Sequence, residues 1–81
     1  MKVKKDIAIS ETGFIFNPST GESFSVNYIG AEMITLMKEG KTYEEIGATI
    51  REKYEVDEQT LEKDFYDYIN LLKGYGLLES E

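Results

Sequence analysis

Glu22-Ser23-Phe24-Ser25-Val26-Asn27-Tyr28-Ile29-Gly30-Ala31-Glu32-Met33 changes its period halfway along. Phe24 and Val26 alternate with Ser23, Ser25 and Asn27, the two-residue repeat of a strand. Beyond Asn27, Ile29, Met33, Leu36 and Met37 fall at i, i+4, i+7 and i+8, the repeat of a helix with one apolar face. Asn27 is itself a capping residue type, because its side-chain oxygen can accept an otherwise orphaned helix N–H. The chain therefore passes from sheet to helix at Asn27.

Upstream of this junction the sequence reads as strand. Phe14 and Phe16 alternate with Gly13, Ile15 and Asn17, and Ile7 and Ile9 alternate with Asp6, Ala8 and Ser10. Asn17-Pro18-Ser19-Thr20-Gly21 is a hairpin loop, since Pro presets a turn dihedral and Gly accepts a positive φ. Glu11-Thr12-Gly13 is a tighter turn. Three antiparallel strands are expected near 6–10, 13–17 and 22–26.

Downstream it reads as helix. The first helix ends at Gly40. A second opens at Thr42 with Glu45 three residues on, a capping box, and carries Ile46, Ile50 and Tyr54. Val56 closes this pair as a buried linker residue. A third opens at Asp57, with Glu58 and Glu62 near the positive end of its dipole, and carries Leu61, Phe65, Tyr68, Ile69 and Leu72. It stops around Gly74 and Gly76, and Leu77 and Leu78 tuck back onto the core. The order is β-β-β-α-α-α, an α+β, winged-helix-like class in which helices cover one face of a small sheet. The expected organisation is a basic N-terminal tail over 1–5, a single domain over 6–78 and a polar C-terminal tail over 79–81.

Composition narrows the function. The chain has 81 residues, 9 basic and 16 acidic, and lacks Cys and His. No thiolate or imidazole metal site, redox dithiol or Ser-His or Cys-His nucleophile pair can be built from it. The absence of Cys suits a cytoplasmic location. The net charge is −7, and three of the nine basic residues are Lys2, Lys4 and Lys5. So acidic a body repels phosphate backbones, which argues against a nucleic-acid-binding regulator. Apolar runs are too short to span a bilayer.

Little catalytic chemistry is available. Glu44-Glu45 and Asp57-Glu58 sit in first turns, where capping and the dipole explain them, and Asp67 falls on a solvated face. Tyr28, Tyr43 and Tyr54 read as helix-packing residues with their hydroxyls in water. Two features exceed the needs of a bland domain. The third strand, Glu22 to Val26, has no Pro and one charge at its start, so its edge either accepts another strand or is covered by a neighbouring strand or helix. The third helix has an apolar arc of roughly 160°, against the ~100° a surface helix needs. Asp64 sits on the rim of that arc beside Tyr68, Leu71 and Tyr75. A homo-oligomerising structural domain would use the same strand edge.

Several spaced features resemble the PqqD family, small proteins named for pyrroloquinoline quinone biosynthesis and also called RiPP precursor peptide recognition elements. They are the loop Asn17-Pro18-Ser19-Thr20-Gly21, Val26-Asn27 at the helix entry, Gly40-Lys41-Thr42-Tyr43-Glu44-Glu45-Ile46, Tyr54-Glu55-Val56-Asp57, Asp64 with Tyr68-Ile69 and Leu72, and Gly76-Leu77-Leu78. Ile34 stands where the family often has Trp, and Val26 where it often has Leu; both changes fit repacking of the core. The resemblance implies a non-catalytic, cofactor-free and metal-free adaptor. The leader of a ribosomal precursor peptide would add as a strand beside the third strand, in the groove against the third helix. The adaptor would present it to a modifying enzyme, commonly a radical S-adenosylmethionine enzyme. Carried onto this chain, the implied peptide-binding residues are Glu22, Ser23, Phe24, Ser25, Val26, Asp64, Tyr68, Leu71 and Tyr75. A proline at Phe24 is expected to break the ladder if that amide is used. A monomer or weak homodimer is expected. The alternative is a structural or regulatory protein-interaction domain outside any peptide-modification pathway.

Overall fold

The computed structural model describes residues 2–79. Strands β1 (Ala8–Ile9), β2 (Phe14–Phe16) and β3 (Ser23–Ser25) are followed by helices α1 (Tyr28–Lys38), α2 (Tyr43–Lys53) and α3 (Glu58–Gly74). The α+β order is the one the sequence predicts. The strands form one antiparallel sheet in the order β1-β2-β3, each shorter than its periodic run. β1 loses Asp6 and Ile7 to a turn closed by a bond from the Ile7 N–H to the Lys4 carbonyl.

The sheet buries the face that the Phe-Ile-Phe triplet leaves ambiguous. Ile15 is fully buried, whereas Phe14 and Phe16 are 48% and 37% exposed. Register places Ile9, Ile15 and Phe24 side by side on the inner face, so the alternating phenylalanines belong to the outer one. Gly13 fixes this arrangement. Its φ is +98°, and a Cβ there would lie 1.9 Å from the Val26 carbonyl oxygen. Only a residue without a side chain lets the start of β2 cross so close to the end of β3.

The helices start and stop where local chemistry dictates. Asn27 accepts the Gly30 N–H at 2.7 Å, Asp57 accepts the Thr60 N–H at 2.7 Å, and Thr42 with Glu45 forms the full capping box. At the end of α3, Gly76 takes a positive φ, its N–H bonds the Lys73 carbonyl, and Leu77 bonds the Leu72 carbonyl. That double bond is a Schellman stop, and its hydrophobic partner contact is the buried Leu72–Leu77 pair. The chain reverses there and returns Leu77 to the core.

α1 is central: α2 and α3 pack on it, and it packs on β1. The core joins Ile15 of the sheet to Met33, Ile34, Ile50, Leu61 and Leu72 of the helices. Of the expected tail over 1–5, Met1 lies outside the described residues, and the structure corrects the expectation for residues 2–4, which are tied to the domain. Val3 is fully buried in the core and forms an antiparallel bridge with Leu78. Lys4 donates to the Leu77 carbonyl at 2.9 Å, and Glu79 donates to the Lys2 carbonyl at 2.7 Å. The basic run hides Val3 inside and leaves Lys4 and Lys5 exposed. Of the expected C-terminal tail, Ser80 and Glu81 lie outside the described residues.

Candidate functional site

The two edges of the sheet differ, and the difference follows from which way the main chain points. Asn17 donates to the Glu22 carbonyl at 2.9 Å, and Val26 donates to the Gly13 carbonyl at 2.8 Å. Both bonds lie on the register that pairs Ile15 with Phe24. Main-chain polar groups of a strand point to alternate sides at successive residues. Glu22, Phe24 and Val26 therefore turn theirs toward β2, and Ser23 and Ser25 turn theirs outward. Among the described residues, nothing hydrogen-bonds those outward groups. Phe24 thus contributes no amide to the open edge, and the residues whose amides lie there are Ser23 and Ser25.

At the opposite edge, Ser10 donates to the Phe14 carbonyl at 2.9 Å, which turns Ile7 and Ile9 outward. The Lys38 ammonium from α1 then donates to the Ile7 carbonyl at 2.7 Å. A charged side chain folded over an edge is a common device against unwanted pairing. The β1 edge is thereby blunted, and the β3 edge is left bare.

One flank of α3 lies beside that bare edge. Tyr75 stacks on Phe24, with ring centroids 4.2 Å apart and planes 14° from parallel. Two turns earlier, the Tyr68 hydroxyl donates to Asn27 Oδ1 at 3.1 Å. Its ring lies on Gly30, where a Cβ would come within 2.5 Å of it. Asn27 thus caps α1 and anchors α3 with one oxygen. Burial, then the charges of Asp64 and Asp67, push the Tyr68 phenol above its ordinary range. The other flank faces α2, where Phe65 meets Tyr43 edge-on at 4.9 Å.

The structure brings Phe24, Val26, Tyr68 and Tyr75 against the core margin between β3 and α3. Leu71, on the same flank, is half-buried yet outside the packed cluster. Asp64 is half-buried and has no hydrogen bond or ion pair among the described residues. Ser23 and Ser25 carry their side chains on the outer face, so only their main chain reaches the edge. Glu22 is exposed and tied to the hairpin loop through Thr20. Sequence reasoning missed Asn27 and Gly30 as supports of Tyr68, because neither lies on a periodic stripe. It also left the Tyr43 and Tyr54 hydroxyls in water. They donate instead to Glu58 and Glu32, each at 3.0 Å.

Elsewhere the surface of the described residues includes two shallow concavities. One of about 570 Å³ lies between β1, α1 and α2 and includes Ile9, Glu32, Lys53 and Tyr54. The other, of about 370 Å³, lies between Thr42, Tyr43, Phe65 and Leu78. In the first, Glu32 already holds Lys53 at 2.6 Å and Tyr54 at 3.0 Å, so its polar groups serve to join α1 to α2. Among the described residues no group of acidic side chains is placed to hold a metal ion. No helix among them is long and apolar enough to cross a membrane.

Residues 13–78 match the protein family described as Coenzyme PQQ synthesis protein D (PqqD). In structure the chain is similar to TbiB1 in complex with the TbiA(beta) leader peptide, at 30% identity, 100% coverage of this chain, 98% coverage of that chain and a TM-score of 0.80. It is similar in fold to lasso peptide synthetase B1 complexed with the leader peptide, at 18% identity, 98% and 96% coverage and a TM-score of 0.76. No curated protein sequence matches the chain.

Proposed function

The chain belongs to the coenzyme PQQ synthesis protein D family, and from that premise we propose that it is a peptide-binding adaptor that captures the leader of a ribosomal precursor peptide by strand addition at β3. The observation that carries this reading is the pair of outward, unbonded main-chain sites at Ser23 and Ser25, set beside the Phe24–Tyr75 stack. The likeness to a solved leader-peptide complex at 30% identity supports it.

A guest strand paired with Ser23 and Ser25 forms up to four main-chain hydrogen bonds, at about 0.5–1.5 kcal/mol each. Its inward side chains fall on Leu71, Tyr75 and the Val26–Tyr68 margin, at about 1.5–3 kcal/mol for each one buried. Ordering a flexible peptide takes back ~2–5 kcal/mol, before the loss of translational freedom. The difference fits binding at micromolar strength or weaker. An affinity of that size suits a carrier that must release its cargo. The domain itself supplies no reacting group in this reading, and the chemistry belongs to a modifying enzyme, commonly a radical S-adenosylmethionine enzyme in this family. A soluble, cytoplasmic setting accords with such a role.

The test is a proline scan of the edge. Peptides selected on the immobilised protein from a displayed random library are titrated against Ser25→Pro, which deletes an outward donor and leaves every β2–β3 bond in place. At least a tenfold loss is expected, with circular dichroism unchanged. Full affinity in a folded Ser25→Pro protein would rule the reading out. Phe24→Pro, by contrast, deletes a bond to β2 and is expected to lower stability.

A further inference from the structure

Strand addition at β3 has a second face. In an antiparallel pair, directly opposed residues carry their side chains on the same side of the sheet. A guest residue hydrogen-bonded to Ser23 or Ser25 therefore points to the outer face, away from α3. That face bears Phe16 directly across from Ser23 and Phe14 directly across from Ser25. Both rings are exposed, at 37% and 48%, and they are two of four large apolar side chains so exposed among the described residues. The serines between them and the open edge are too small to block a side chain reaching over from a guest strand. Each serine is a low step between an edge site and a ring.

We infer that Phe14 and Phe16 read basic side chains, arginine foremost, at the two guest positions paired with Ser25 and Ser23. The inference rests on the strand-addition reading above. Three observations select the chemistry. A guest strand lies two strand spacings, about 10 Å, from β2, a span that a long unbranched side chain crosses and a short apolar one does not. An exposed aromatic face attracts a cation and stacks a guanidinium. The chain carries −7, so its field draws basic peptides and disfavours acidic ones. The guest pattern that results is basic–apolar–basic. The middle side chain turns inward to α3, and the outer two lie over Ser23 and Ser25.

Selection from the random displayed library decides the matter, run on the wild-type protein, on Phe14→Ser/Phe16→Ser and on Phe14→Leu/Phe16→Leu. The outer face is solvent-exposed, so both variants are expected to fold, and the leucine pair keeps the apolar surface should the serine pair fail. Wild-type protein is expected to enrich Arg or Lys at two positions flanking an apolar residue. Both variants are expected to lose that enrichment, keep the middle apolar preference, and bind the wild-type-selected peptides about two- to five-fold more weakly per ring. Retained basic enrichment in the leucine variant, or none in the wild type, would overturn the inference while leaving strand addition intact. Peptides that bind a folded Ser25→Pro protein undiminished would instead remove strand addition itself, and the inference with it.

Discussion

Gly30 has no room for a methyl group, because the space a Cβ would occupy is filled by the ring of Tyr68. The obstructing atoms are the far end of a side chain, so Gly30→Ala is expected to expel the ring rather than unfold the domain. The helix gains up to about 1 kcal/mol in propensity, offset by loss of the Tyr68–Asn27 hydrogen bond. Ring resonances of Tyr68 should show the displacement, and peptide affinity should fall with it. The same phenol reports on its neighbour. Of the two charges that raise it, Asp64 has the larger effect after burial. Asp64→Asn is therefore expected to bring the Tyr68 titration down toward the ordinary tyrosine value, read from its ring carbon shifts; an unmoved titration would show that Asp64 has no part in the rise. Capping residues were legible in the sequence because a cap is a local matter: Asn27, Thr42, Glu45 and Asp57 act within three residues of themselves. Gly30 and Val3 were not, since each is defined by a partner roughly forty or more positions away.

Among the elements, α2 depends most visibly on its first turn. Thr42 and Glu45 satisfy each other's backbone N–H groups, at 3.1 and 2.8 Å. Thr42→Ala should cost about 1 kcal/mol, seen as a lower urea midpoint. Glu45 and Asp57 are both held below the usual carboxylate range, each chiefly by the backbone N–H it caps. A folded value below the unfolded one means their stabilisation is present above the ordinary carboxylate range. It is lost as pH falls through the folded values. The melting temperature should depend on pH across that acid window in the wild type and depend on it less in Glu45→Gln/Asp57→Asn, which removes the two titrating carboxylates. The strands were legible as strands, but not their faces. All three residues of Phe14-Ile15-Phe16 are apolar, so alternation cannot choose between them, and the choice falls to the crossing at Gly13 and the buried Asn17. Which amides face the open edge was equally hidden, because it depends on register and not on residue type.

The whole molecule is closed by its ends. Val3 and Leu78 bridge, and the two flanking main-chain bonds tie residues 2–4 to 77–79. Deleting residues 1–5 removes a fully buried valine, worth about 1.5–3 kcal/mol, together with those bonds. In a domain this small the loss is a large share of total stability, and a marked drop in the urea midpoint is expected. The net charge sets the behaviour toward partners at the same scale. Peptides chosen for basic residues should bind less well as ionic strength rises, and acidic ones should show no such trend. The helical order was readable from the sequence because each helix carries its own start and stop, whereas the closure of the termini was concealed within a run of lysines. The lysine drawn across the β1 edge has a consequence for crowding. A sheet with two sticky margins can polymerise, each copy offering one side to the next. With Lys38 plugging one margin, two copies meeting through β3 use up both their free sides, and growth ends at a pair. Any pairing of copies through β3 is then finite by construction, and in direct competition with a peptide for the same edge.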